Sequence, residues 1–287
     1  MAINDTNVYW LYSGPGYADG GTLMTAPKCG GATITLATGQ PFPGGIAVDS
    51  QNVYWTNLSS QNNGSVMTIP IHGSMPVTLF AGGNPADITV DSTNIYWTDE
   101  FGGAVMKRAK AGGAVTTLAT RQFGAVNIAV NSAYACWTTN STTFPDTKPG
   151  VLCASLSGGA PRTLTSGSAI YWGLVLDDTA AYAISGDGSG MGFIVAVTIA
   201  GGTPVTLGSG YPAGITVDAT NVYWTSAPET GGLGAVISVP KQGGIPHTLA
   251  VSQNDPGSIA VDARGIYWTN DPSVFADAGP AVLAGPK

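Results

Sequence analysis

A stretch at positions 88–99, ITVDSTNIYWTD, returns in altered form at seven places: 2–12, 46–57, 88–99, 128–139, 174–185, 215–226 and 259–270. Intervals of 40 to 46 residues between copies mean stacked supersecondary units, and this period suits a four-stranded propeller blade. The β-branched residues of the first half favour extended backbone. In the second half Tyr96 stands beside Trp97, so the two rings point to opposite faces of one strand. A blade packed between two neighbours buries both faces, which removes the conflict.

Between the two strands lies Asp91-Ser92-Thr93-Asn94. Asp91 is expected to accept from amides two and three residues on, an Asx-type turn. The position of Asn94 is Asn again at Asn7, Asn52 and Asn221 and Gly at Gly265, so a left-handed residue is expected there. Seven copies of an acid position cannot each be an active site, and the repeated Asp reads as structural.

Each unit supplies two further strands, resembling 65–71 and 77–80, joined by Gly-rich hairpin turns such as Gly112-Gly113 and Gly243-Gly244. The last unit stops after its third strand. The expected fold is therefore all-β: a single domain, 1–287, forming a seven-bladed β-propeller with four antiparallel strands per blade and a three-stranded last blade. The blades run approximately 1–40, 41–82, 83–122, 123–167, 168–210, 211–253 and 254–287. The open edge of the last blade is blunted by Pro286 and Lys287, and a monomer is expected.

Tyr96-Trp97-Thr98-Asp99 matches the YWTD signature of receptor-type β-propellers, and other copies read YWTN or YWTS. The fuller pattern, IAVD…VYWTN…GG…TLA, is similar to propeller repeats of secreted bacterial envelope proteins, most without an assigned activity. YWTD receptor propellers have six blades, whereas this chain carries seven copies. The resemblance implies a secreted or cell-envelope protein, its leader removed ahead of Met1.

Charge narrows the function classes. Only 9% of residues are charged, and the net charge is −7 with a pI near 4.5. No basic run is present for a nucleic-acid backbone or an anionic membrane, and no apolar segment is long enough to span one. His72 and His247 fall on a turn and an outer strand, so they form no Ser–His–Asp or Cys–His set. The virginiamycin B lyase family, also seven-bladed, uses histidines and magnesium at its central mouth, and this chain offers no histidine there.

Strand parity puts the short Asp and Gly-Gly turns on one face and the variable loops on the other. Function is expected on the variable face. Trp172 and Tyr171, in the link entering blade five, are candidate ligand contacts, with Phe42, Phe123, Phe144 and Tyr211 from variable loops. Asp87, just ahead of a first strand, is expected to line the channel mouth beside Asn127. Most other loop acids, Asp99 and Glu100 among them, read as solvated, with carboxylate pairing for glycoside hydrolysis or calcium binding as alternatives. Cys136 and Cys153 lie on adjacent strands and are expected as buried free thiols, a bridge being the alternative. The function expected is a non-enzymatic binding or scaffold module for carbohydrate or peptide and protein ligands. The alternative is a propeller enzyme, a carboxylate-dependent glycoside hydrolase or a metal-assisted lyase. No cofactor is expected, and calcium is the candidate ion.

Overall fold

The computed structural model describes residues 1–13, 20–140, 148–188, 190–227, 233–270 and 281–287, the side chains of 281 and 282 excepted. The fold is a seven-bladed β-propeller: six four-stranded antiparallel sheets and a three-stranded last one, taken in chain order. Blade three is typical, with strands Pro85–Val90, Asn94–Asp99, Ala104–Ala109 and Thr116–Thr120. The chain divides into two compact units, Met1–Lys148 with Leu152–Arg162, and Pro149–Val151 with Thr163–Lys287. In the first unit the first strands of blades one to four lie side by side, as do those of blades five to seven in the second.

Between strands one and two, the motif Asp caps the turn. Asp91 Oδ1 accepts from the amides of Thr93 (2.6 Å) and Asn94 (2.7 Å), and Asp49, Asp177, Asp218 and Asp262 repeat the pattern. The left-handed residue expected at Asn94 is absent: neither the four Asn nor Gly265 has positive φ. Two amides held by one carboxylate oxygen close the turn, and Asn94 already starts strand two. Gly265 is small for another reason, since a Cβ there would lie 2.7 Å from the carbonyl oxygen of Gly285. Positive φ falls instead in the Gly-Gly turns between strands three and four.

The second strand's two rings bury on opposite sides, as their alternation requires. Trp55, Trp97, Trp137 and Trp224 are all but inaccessible. Three indole N–H groups are met by a glutamine at the end of the preceding blade's strand four: Trp55 by Gln40 (2.9 Å), Trp137 by Gln122 (3.0 Å) and Trp268 by Gln253 (2.9 Å). Tyrosine keeps its hydroxyl at the edge, where Tyr54, Tyr96, Tyr182 and Tyr223 donate to the second oxygen of their own motif Asp at 2.6–3.0 Å. Cys136, which stands where other blades have this tyrosine, is bridged to Cys153. The expectation of free thiols is thereby corrected: the paired strands bring the two Cα atoms to 4.0 Å, within bonding reach of their sulfurs.

Candidate functional site

In blades two, three, four, six and seven the loop-side end of the first strand carries a two-residue bulge. In blade three Ile88 pairs with Trp97 and Pro85 with Asp99, so Ala86 and Asp87 together oppose Thr98. Bulges break the ladder and re-aim side chains. The threonine that follows the motif Trp repairs the break. Thr98 Oγ1 accepts from the Asp87 amide and donates to the Val126 carbonyl of blade four, both at 3.2 Å. Thr56 does the same between Gly45 and Ala86, and Thr225 between Gly214 and Gly257. These fully buried hydroxyls rivet blade two to three, three to four and six to seven, a role sequence reasoning missed although the recurring T of YWT was its signal.

The bulge residues of blades two, three and four are Gly45, Asp87 and Asn127, a row of side chains at one end of the first unit. Asp87 is half-buried. Its carboxylate accepts from the amides of Ile88 (2.8 Å) and Ile128 (3.0 Å), the latter in the next blade. Burial pushes its pKa up to about 6, against the pull of those amides and of the Met1 amino group. Gly45 makes room for it, since a Cβ there would strike the Asp87 carboxylate. Asn127 Oδ1 accepts from Thr138 (3.0 Å), so its side-chain N–H₂ faces away from that bond.

The aromatic candidates disperse. Phe42 adopts φ 43° and stays exposed, while its carbonyl accepts from the Leu58 amide (2.9 Å). Tyr12 and Phe101 are exposed at the same loop-bearing end of blades one and three. Phe123 is half-buried with its ring over Gly103. Phe144, with most of the 139–150 loop, lies outside the described residues. Tyr171 and Trp172 belong to a strand, Ile170–Leu176, and not to a link. Tyr171 is buried. Trp172 lies against Gly186 and Gly192 and donates its indole N–H to the Pro212 carbonyl (3.0 Å), so it packs toward blade six. Tyr211, half-buried, accepts through its carbonyl from the Ala227 amide (3.0 Å).

Two acids expected in solvent are instead committed to loop structure. Asp99 is buried and accepts from the amides of Asn84 and Gly102, both at 3.0 Å. Glu100, its pKa raised by burial, accepts from Asn84 Nδ2 (2.9 Å). At the opposite, uniform end, motif acids engage lysines from the next blade: Lys110 with Asp49 (2.7 Å), Lys241 with Asp177 (2.8 Å) and Lys287 with Asp218 (3.0 Å). Burial alone would raise these carboxyls. The lysines, turn amides and tyrosine hydroxyls outweigh it and hold all three below the usual range. In the second unit a cleft of about 740 Å³ opens beside Asp177, Tyr182, Asp218 and Lys241, so its charged lining is largely self-paired. Among the described residues no three His, Cys, Asp or Glu side chains converge on one point.

Solved structures with this architecture span binding proteins and enzymes. The chain is similar to one in the nidogen/laminin complex (19% identity, TM-score 0.59, 82% of this chain and 89% of that one). It is likewise similar to streptogramin B lyase (13%, TM-score 0.71, 93% and 88%) and to TolB from Acinetobacter baumannii (13%, TM-score 0.61, 87% and 64%). At these identities the likeness is one of fold. No protein-family model matches the sequence, and no curated protein is similar to it. Among the described residues no helix is long and apolar enough to cross a membrane.

Proposed function

We propose that the chain is a non-enzymatic binding module that takes a carbohydrate or peptide ligand at the loop-bearing end of its blades. One observation carries the reading: Tyr12, Phe42 and Phe101 expose their rings at that end of blades one to three, while every described motif Trp is buried. Exposed rings offer stacking area to a sugar or an apolar peptide side chain. Phe123 borders the same end, and Asp87 with Asn127 adds an acceptor and an amide beside it. In the second unit Tyr211 is a separate candidate. The nidogen/laminin complex shows a similar fold engaged with a protein partner. The module is proposed to act as a monomer in the secreted or envelope compartment. A glycan and peptide array, run with and without calcium, tests the reading. Saturable binding lost in a Phe42→Ala, Phe101→Ala double variant supports it, and binding untouched by that variant defeats it.

A second reading, a propeller enzyme of the hydrolase or lyase type, is favoured by Asp87 alone. A carboxyl pushed up to about 6 suits proton transfer near neutrality. Its two oxygens are held by backbone amides, which makes it a poor base in this geometry. Turnover of any array hit by the native chain but not by Asp87→Asn would establish this reading in place of the first.

A further inference from the structure

We infer that the cleft between blades five and six, at the Asp-turn end of the second unit, binds an aliphatic amine, a short hydrocarbon chain ending in a free primary ammonium. This site lies at the opposite end of the blades from the loops and goes beyond the reading above.

The cleft originates in the repeat. On the face that carries the motif Tyr, two side chains flank that ring, one starting strand two and one opposite the Tyr on strand three. In blade one these are Asn7 and Thr25. Asn7 Nδ2 donates to Thr25 Oγ1 (3.1 Å), and Thr25 Oγ1 donates to the Val8 carbonyl (3.0 Å). Blade two has Asn52 and Thr68, the threonine donating to the Val53 carbonyl (3.0 Å), and blade six has Asn221 and Ser238. In blade five the register puts Ala180 and Ala196 at these positions. Both alanines line the cleft of about 740 Å³. Loss of a carboxamide and a hydroxyl together leaves open a space that blade one fills with the buried Thr25. It also removes the side-chain donor that blades one and two offer to a strand-two carbonyl.

The walls set the class of occupant. Ala180, Ala196, Val205 and Leu207 supply apolar surface, and the charged residues are Asp177, Asp178 and Asp218 against Lys241. Asp177 and Asp218 are held below the usual carboxylate range, so both are ionised at neutral pH. Their oxygens already meet Lys241 (2.8 Å) and Lys287 (3.0 Å). Asp178 is exposed and stands where other turns have Ser50, Ser92, Ser132, Ala219 and Ala263, Asp5 alone repeating the acid. Lys241 shows which chemistry the cleft accepts. Its ammonium meets the Asp177 carboxylate and lies 5.8 Å from the centre of the Tyr182 ring. A second chain of this kind lays its methylenes on the alanine and leucine surface and presents its ammonium to Asp178.

Cadaverine, a linear aliphatic diamine, is titrated into the full chain by isothermal calorimetry at low ionic strength, with the corresponding diol as an uncharged control. Saturable binding of the diamine, with none of the diol, supports the inference. Ala180→Asn with Ala196→Thr rebuilds the blade-one pair inside the cleft and is expected to abolish binding without lowering the melting temperature. Asp178→Asn, at an exposed turn position, is expected to weaken binding about tenfold or more, and it decides the matter even if the double variant fails to fold. Phe42→Ala with Phe101→Ala is expected to leave cadaverine binding intact, which separates this site from the loop-end reading. Absence of saturable diamine binding, equal binding of the diol, or binding undiminished by Asp178→Asn overturns the inference.

Discussion

At the scale of single residues, the motif threonine explains how a bulge can recur without leaving a buried amide unmet. Thr98→Val removes one hydroxyl but strands two backbone groups, the Asp87 N–H and the Val126 carbonyl. An unmet buried group costs about 1–3 kcal/mol, so denaturant melts should show a loss in that range, with Thr98→Ser recovering most of it. Asp87 makes a pH prediction of opposite sign to the motif acids. Asp49, Asp91, Asp177 and Asp218 are lowered, so their stabilisation is present above their unfolded value of 3.8 and fades as acid protonates them. Asp87 is raised from 3.8 to about 6. Its stabilisation is complete below 3.8 and is lost as pH rises through about 6. Melting temperatures between pH 4 and 6 should therefore decline on the Asp87 limb, and Asp87→Asn should flatten it. An unchanged slope would refute this account. Trp172, wedged on two glycines, should behave as a packing residue: Trp172→Ala is expected to cost about 3 kcal/mol, measured by equilibrium unfolding.

At the scale of elements, blades are tied together by side chains that repeat at fixed register. The residue after strand three is Lys28, Ile71, Lys110, Leu156, Ile199 or Lys241, with Lys287 one further on in blade seven, and the turn-capping residue of a blade is an Asp or an Asn. Where strand three is followed by Ile71, the turn residue one blade earlier is Asn4, whose Oδ1 caps Thr6 and Asn7 as an aspartate would. Neutral amide with aliphatic (Asn4, Ile71) and acid with lysine (Asp49, Lys110) are two solutions to one position, while blade four departs from both, with Leu156 where the preceding turn carries Asp91. Asp49→Asn and Lys110→Ile should each destabilise, and the double variant should recover about 1 kcal/mol of their sum, a coupling read from a double-mutant cycle. Blade four has Cys136 for the tyrosine, and a disulfide ties its second and third strands across a separation of 17 residues. Reduction, or Cys153→Ala, should cost about 3 kcal/mol on loop-entropy grounds and lower the melting temperature without changing the circular dichroism spectrum.

At the scale of the whole molecule, the proposed ligand end and the framework should separate in experiment. Phe42→Ala with Phe101→Ala is expected to abolish array binding while melting near the native temperature, because neither ring is buried. Loss of fold in that variant would show the rings to be structural. The sequence by itself determined the blade number, the strand order, the Gly-Gly hairpins and the capping role of the motif Asp. Each of these depends on local chemistry repeated at a fixed period, and repetition makes a weak local signal strong. Tertiary structure alone decided which side chains meet across blades. Neither the pairing of Thr98 with Val126, the landing of Trp172 on Gly186, nor the burial of Asp99 under its loop follows from spacing along one chain. The bulge turned Asp87 toward a neighbouring amide 41 residues away, and no local rule contains that distance. The aromatic loop residues dispersed for the same reason: a loop's position in sequence states which end of a blade it occupies, while packing against the adjacent blade decides whether its ring is covered or free.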